Sequence, residues 1–446
     1  MGRRKTPITG TGPLAQLARS LRDLRESSGL TLRELADHVG YSHSTLASAE
    51  RGRVPPSWPV TDAFISGCGA AAGEWRSLWM AANAAQAAAA GAEGSQVVPA
   101  QLPGGVPGFV GRAYELAQLL ALAKAVGEEN YGPPLICSIE GMAGVGKTAL
   151  ALEFAHLTAA QFSDGQLFVN AQAYCQGGAP LAPRDVLIRL LRGLGQGFGT
   201  SAVDIDGMAS VYRSITAGKK ILVLLDNAQT ADQVRAAIPG RGPGLVVATS
   251  RNALNGLIVR DGAVQLHLND LADDDALALM AHIVTRAVVD ASPLASRRVA
   301  DLCGNLPLAL RIAAHHVTTR RYQSLGELAE ALACDDECLN VLSVNGDETA
   351  NIRSVLSWSY DSLPTEAALA FRLIGERLSG RFDFARASEA IGGGTAHVQG
   401  QLRALIDANL LQEHRKAEYA AHRLVKLYAA EFARSARLEE RSKAAG

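Results

Sequence analysis

No run of eighteen strongly apolar residues occurs in the 446-residue sequence, so none of it is built to cross a membrane as a helix. The alanine-rich stretch 81–93 is interrupted by Asn83, Gln86 and Glu93 and is too weakly hydrophobic to insert. The basic start, MGRRKTPITG, leads into no apolar segment, which excludes a secretory signal peptide. A dominant charge is missing as well: the formal net charge is −1, so any nucleic-acid surface must be local. Metal-ligand spacing is absent too. Cys334 and Cys338 are four apart, but no histidine adjoins them and no second pair exists, which argues against a zinc site. The six cysteines are scattered through apolar or helical stretches, the pattern of reduced thiols in a cytosol, so the expected location is cytoplasmic. No internal repeat with a period of 20–50 residues is present.

What is present fits several globular parts. The chain is too long for one core, so two to four domains are expected, and 48% hydrophobic with 20% charged residues is a globular balance. Arginine greatly outnumbers lysine, and alanine and glycine abound, which fits a GC-rich bacterial genome. Residues 1–80 read as a compact helical unit, and 81–104 as a helix tail and Gly/Pro-containing linker. Apolar runs alternate with amphipathic segments over 105–270, the mark of βαβ units and a parallel sheet. The strands are expected at 135–139, 166–170, 221–225, 245–248 and 264–268. Apolar spacings of three and four predict helices over 272–335 and again over 350–435. Short strand-like pieces interrupt the latter near 410–413 and 418–421.

Residues 135–148, LICSIEGMAGVGKT, are the most informative. An apolar run precedes Gly141, Gly144, Val145, Gly146, Lys147, Thr148 and Ala149, giving G-x-x-x-x-G-K-[ST] between a strand-like and a helix-like segment. Glycines let backbone N–H groups turn inward around phosphate oxygens. Lys147 is expected to reach the β- and γ-phosphates of ATP or ADP, and the Thr148 hydroxyl to bind Mg²⁺. The alternative, a glycine-rich turn with a stray lysine, does not account for the correctly placed strand and helix. A second landmark is ILVLLDNAQTADQV, whose Asp226 ends a hydrophobic strand and is expected to hold the same Mg²⁺. Asn227 follows, where an acid would polarise the attacking water. An amide accepts no proton at neutral pH, so ATP hydrolysis is expected to be slow, that of a switch and not a motor. LVVATSR ends in Arg251, expected to read the γ-phosphate; the alternative is a surface arginine.

The segment LRDLRESSGLTLRELADHVGYSHSTLASAERGRVP reads as a helix-turn-helix. Thr31 and Glu34 form a capping box, Gly40 ends that helix, and Ser42 caps the next. His43, Ser44, Thr45, Ala47 and Ser48 are the outward candidates for base edges, with Arg19, Arg22, Arg33, Arg51 and Arg53 for phosphates. Residues 1–60 hold nine Lys/Arg against five Asp/Glu, a local surplus of +4. A helical protein-interaction module is the alternative. This stretch resembles the Cro/repressor-type (XRE) family through TLRELADHVGYSHSTLASAERG and the Pro55-Pro56 after it.

Residues 105–435 resemble the NB-ARC type of STAND signalling ATPase, particularly actinobacterial regulators with an N-terminal DNA-binding domain. The matching pieces are FVGR, GMAGVGKTAL, DGQLFVN, LVLLDNA, VVATSR, CGNLPLALRIAA, SVLSWSYDSLP and AAHRLVKLYA. The resemblance implies that Val110, Gly111 and Arg112 lie by the adenine and ribose and that Pro307 packs on the adenine. It also implies that His422 touches the β-phosphate of ADP and locks a closed form. Ala421 and Arg423 depart from the family's Met-His-Asp triplet, which puts that lock in question, and a solvent-facing histidine is the alternative. Such regulators usually continue into a sensor repeat domain, so a separate sensor protein or response to nucleotide alone is expected.

The resulting architecture is multidomain. An all-α helix-turn-helix domain (1–80) and a linker (81–104) precede an α/β P-loop NTPase domain with a parallel sheet (105–270). A helical subdomain (271–340), a winged-helix subdomain (345–435) and a tail (436–446) follow. The function expected is an ATP/ADP-switched transcriptional regulator that binds double-stranded DNA and self-associates with nucleotide state, away from any membrane. The rival is an ATP-hydrolysing signalling or defence platform whose N-terminal helices recruit a protein. A third possibility is a constitutively ADP-bound scaffold.

Overall fold

The structure, a computed structural model, describes residues 12–52, 54–71, 73, 75–83, 98–128, 132–172, 179–196, 204–378, 380–414 and 418–432. The chain divides into two units, 1–97 and 98–446.

In the first unit, helices α1 (Pro13–Ser27), α2 (Leu32–Val39), α3 (His43–Ala49) and α4 (Trp58–Gly67) enclose Leu17, Leu21, Leu35, Leu46, Phe64 and Ile65. Local signals set the boundaries. The Thr31 hydroxyl accepts the Glu34 amide at 3.3 Å while the Thr31 amide donates to the Glu34 carboxylate at 2.8 Å. Gly40 closes α2 at φ +70°, a conformation costly for residues with a Cβ. Ser42 caps α3 by accepting the Thr45 amide at 3.2 Å. Glu50, directly after α3, is buried and takes Arg25 at 2.5 Å and Arg22 at 3.7 Å. That carboxylate fastens α1 to the end of α3.

The second unit is built on a five-stranded sheet, β1 (Leu135–Gly141), β2 (Gly165–Asn170), β3 (Ile221–Ala228), β4 (Leu245–Ser250) and β5 (Val264–Leu268). Its order is β2-β3-β4-β1-β5 and every pairing is parallel. The central strands are buried along nearly their whole length, as helices on both faces of a parallel sheet require. All five expected strands are present. Four run further than expected: β2 begins one residue earlier, at Gly165, and β1, β3 and β4 keep their backbone pairing through the polar residues Glu140, Asp226 and Ser250. Part of the expected linker belongs to this sheet: Ala100 bridges Gln166 on the outer edge of β2, with Gln166 N donating to Pro99 O at 2.6 Å. Residues 84–97 of that linker lie outside the described residues.

Six helices follow between Asp273 and Val341. A hairpin, Ser343–Val344 with Asp347–Asn351, then leads to helices Ile352–Asp361, Thr365–Arg377, Phe384–Ile391 and Thr395–Asp407. Gln412–His414 and Glu418–Ala420 pair antiparallel, and Phe382–Asp383 adds a third short strand. The hairpin and Phe382–Asp383 are additions to the sequence reading. Among the described residues, no helix is long and apolar enough to cross a membrane, and no cluster of three or more His, Cys, Asp or Glu is arranged to hold a metal.

Candidate functional site

The carboxyl ends of β1, β3 and β4 carry the expected nucleotide residues, where a doubly wound sheet offers its binding crevice. β1 ends at Gly141 (φ +146°), where an added Cβ would stand 2.5 Å from the Leu268 carbonyl. Gly144 (φ +81°) and Gly146 (φ +97°) complete the turn into helix Lys147–Thr158, which has no side-chain cap. An uncapped helix start of this kind supplies N–H donors and positive dipole to an anion. A cavity of about 520 Å³ opens over the loop. Its lining includes Gly144, Val145, Gly146, Lys147, Thr148, Ala149, Asn227, Arg251 and Pro307. The charged side chains in that lining are Arg112, Lys147, Arg251 and Arg311, with no carboxylate among them.

Lys147 is buried, and its ammonium donates to the Gly141 and Met142 carbonyls at 2.8 Å each. Burial, and then the Arg251 charge, push its pKa down to about 7, against the pull of Asp226. The lysine is thus a poorly compensated cation that a phosphate would recharge. The two expected Mg²⁺ ligands touch: Thr148 Oγ1 donates to Asp226 Oδ1 at 2.6 Å, and Thr249 Oγ1 donates to the same oxygen at 2.6 Å. Hydroxyl and carboxylate oxygens are the hard donors that Mg²⁺ takes alongside phosphate and water, so this donor set fits the ion. Asn227 sits in a bulge of β3 at φ +56°, a conformation Asn tolerates, and its amide donates to Asp226 Oδ2 at 3.1 Å. Arg251 donates to Val355 O at 2.6 Å and to Ser359 Oγ at 3.2 Å, and lies 5.5 Å from the Trp358 ring centroid. The arginine expected at the γ-phosphate therefore lines the cavity and simultaneously holds helix Ile352–Asp361.

In the first unit α3 presents His43, Ser44 and Ser48 to solvent, with Thr45 half-buried, and Arg19, Arg33 and Arg51 are exposed. Two expectations change. Ala47 is buried, because α3 packs against both α2 and α4 and so hides a wide arc. Arg22 is committed to Glu50, donating to its backbone carbonyl at 3.0 Å as well as pairing with its carboxylate. Arg53 lies outside the described residues.

The family described as a helix-turn-helix domain matches residues 16–78. Over 333 residues, 74% of the chain, the sequence is 36% identical to Regulatory protein AfsR of Streptomyces coelicolor. It is 35% identical over 332 residues to Regulatory protein AfsR of Streptomyces griseus. The match spans 33% of each of these relatives, so the chain covers about one third of their length. Disease resistance RPP8-like protein 3 of Arabidopsis thaliana is 25% identical over 265 residues, 55% of this chain and 28% of that protein. The chain carries a helix-turn-helix unit and, beyond it, a five-stranded parallel α/β unit of P-loop type in the part of the chain that is similar to these regulatory proteins. Among solved structures, a Walker-type ATPase of Pyrococcus abyssi superposes with a TM-score of 0.49 at 10% identity, covering 72% of this chain and 96% of that one.

Val110 and Pro307, which the resemblance places by the adenine, line the cavity. Gly111 (φ +74°) leaves room for Asp275, whose carboxylate an added Cβ would meet at 2.6 Å. Arg112 lines the cavity, but its guanidinium is turned to backbone: it donates to Val145 O at 3.2 Å and to Asn269 O, and it pairs with Glu115 at 3.1 Å. It braces the phosphate loop. His422 is not among the cavity's lining residues. Its Nδ1 accepts the Leu424 amide at 3.1 Å, which leaves Nε2 to donate to Gly304 O at 2.9 Å. Asp270 stands 3.8 Å from that ring, its carboxyl pushed up by burial against the pull of His422 and Arg112. Arg423 takes the tethering role: it donates to Leu302 O at 2.6 Å, to Leu332 O at 3.3 Å and to Asp335 at 2.9 Å. Arg311 and Thr349 also line the cavity, and sequence reasoning missed both. Arg311 had a signal, lying four residues after Pro307 and so on the same helix face.

Proposed function

We propose that this chain is a nucleotide-switched, DNA-binding transcriptional regulator. The observation that carries the switch is Arg251, which borders the phosphate end of the cavity while its guanidinium holds helix Ile352–Asp361. A γ-phosphate at that end competes for the guanidinium; ADP leaves it on Val355 and Ser359. ATP therefore favours release of the C-terminal helices, and ADP favours their closure. Lys147, the loop amides and Thr148 bind the polyphosphate, and Thr148 with Asp226 would hold a Mg²⁺ that neutralises phosphate charge. Asn227 supplies no general base, so each triphosphate is long-lived and the site behaves as a switch.

The exposed His43, Ser44 and Ser48 of α3, flanked by Arg33 and Arg51, form the DNA-reading face. A single short face of small polar side chains reads few bases. Self-association in the open state sets several such faces on repeated half-sites and raises affinity through effective concentration. The AfsR relatives, named as regulatory proteins, support this reading over the defence-platform alternative. Denaturing the purified protein and identifying the released nucleotide tests the site. Adenine nucleotide is expected from the parent chain and none from Lys147→Ala; equal nucleotide from both would overturn the assignment.

A further inference from the structure

The cavity lining has two chemically different parts. Lys147, Asn227 and Arg251 mark the phosphate end, at the tips of the strands. Val106, Phe109, Leu271 and Leu279 make much of the rest of its lining apolar, and Pro107 of the same 106–110 segment is in reach of Arg311. Helix Pro307–Thr318 runs from the phosphate end to that segment. Pro307, at its first position, stands 3.9 Å from where a Cβ on Gly146 would be, and Leu308 N donates to Gly144 O at 3.2 Å. Arg311 lies four residues along on the same face, roughly 6 Å further from the phosphate loop. Its Nη1 donates to Pro107 O at 3.5 Å, which sets the guanidinium across the gap toward the 106–110 segment. Among the described residues that long hydrogen bond is its one partner, and it occupies one of five donors. Among the described residues no carboxylate lines the cavity to neutralise it, and the guanidinium of Arg112 is spent on backbone carbonyls and Glu115.

We infer that Arg311 is the residue that grips the base end of the bound nucleotide, laying its planar guanidinium against the purine that Pro307 supports and bridging to the 106–110 segment over it. The chemistry favours this use. A cation among apolar walls, at a distance from the phosphates, is suited to a purine π-face and its ring-nitrogen acceptors. A lysine there would supply charge without the plane. The inference rests on the nucleotide reading above.

The test is the affinity of the full chain for AMP, ADP and ATP, measured for the parent, Arg311→Ala, Arg311→Lys and Lys147→Ala. Loss of a guanidinium–purine contact weakens binding about three- to thirty-fold. The expected pattern is the same loss for all three nucleotides in Arg311→Ala, with little recovery in Arg311→Lys. A loss that grows with phosphate number would make Arg311 a phosphate ligand and overturn the inference. Full recovery by lysine, or unchanged affinity in Arg311→Ala, would overturn it equally. Lys147→Ala separates the two claims. If it binds nucleotide like the parent, the nucleotide reading itself fails; if it loses binding while Arg311→Ala does not, only the inference about Arg311 fails. Because Arg311 is half-exposed, its variants are expected to keep the parent's melting transition, which excludes misfolding as the cause.

Discussion

Replacing Arg251 by alanine removes the one side chain that both borders the phosphate end of the cavity and grips helix Ile352–Asp361. Two hydrogen bonds from a buried charged donor disappear, at 2.6 and 3.2 Å, together with a guanidinium–indole contact at 5.5 Å. Charged hydrogen bonds contribute about 1.5–3 kcal/mol each and the ring contact about 0.5–2 kcal/mol, and neighbours of this kind do not add fully. A loss of about 3 kcal/mol is a reasonable centre, equivalent to a shift of roughly a hundredfold in the ratio of closed to open forms. Hydrogen exchange in the presence of ADP reads this directly. Amides of 352–361 are expected to exchange much faster in Arg251→Ala, while those of β1 and β3 keep their protection. Ser359→Ala, which removes only the 3.2 Å bond, is expected to shift the same ratio at least about tenfold. ADP affinity should not collapse, because losing Arg251 also relieves the repulsion that lowers the Lys147 pKa. If 352–361 exchanged at the parent rate in ADP-bound Arg251→Ala, the idea of Arg251 as the coupling residue would be refuted.

Three further outcomes follow from the same geometry. Lys147 titrates near pH 7 in the empty cavity and is recharged by phosphate, so nucleotide binding above pH 7 should take up a proton and weaken as pH rises. Calorimetry in buffers of different ionisation enthalpy measures this, and absence of uptake at pH 8.5 would contradict it. Asn227→Asp places a base where the amide now sits, at a backbone conformation both residues tolerate, and phosphate release should rise about a hundredfold. An unchanged rate would mean that the missing acid is not what limits hydrolysis. Arg51→Glu should weaken DNA retention and reduce the salt slope by about one to two units, since the exposed arginine is available to phosphate; an unchanged slope would remove Arg51 from the interface.

Much of this organisation is legible in the sequence. The central strands β1, β3 and β4 are the apolar runs that a buried parallel sheet needs, β2 and β5 alternate as its edges, and the phosphate loop is fixed by glycines with no substitute at those backbone angles. The strand ends were harder to place, since Glu140, Asp226 and Ser250 look like loop residues yet pair by backbone alone. The hairpin at Ser343–Asn351 did leave a signal: Asn345-Gly346 forms its two-residue turn, with Gly346 at φ +82°. Residues 99–101 left none, because Pro-Ala-Gln has no strand character and is recruited by the open edge of β2. The roles of Arg22, Arg112, His422 and Arg423 were hidden for a different reason. Each is decided by an acceptor far away in sequence, such as Glu50 for Arg22 or Gly304 for His422. Residue type foretold a charge or a ring at these positions, but only the packed chain shows what each one holds.

The most direct measurement of the central claim is the affinity of the full chain for recovered target DNA with ADP, with a non-hydrolysable ATP analogue and with neither, at one fixed salt concentration. The expected result is tighter, more cooperative binding with the ATP analogue than with ADP, and loss of that difference in Lys147→Ala. Identical affinity in all three nucleotide states would contradict the account.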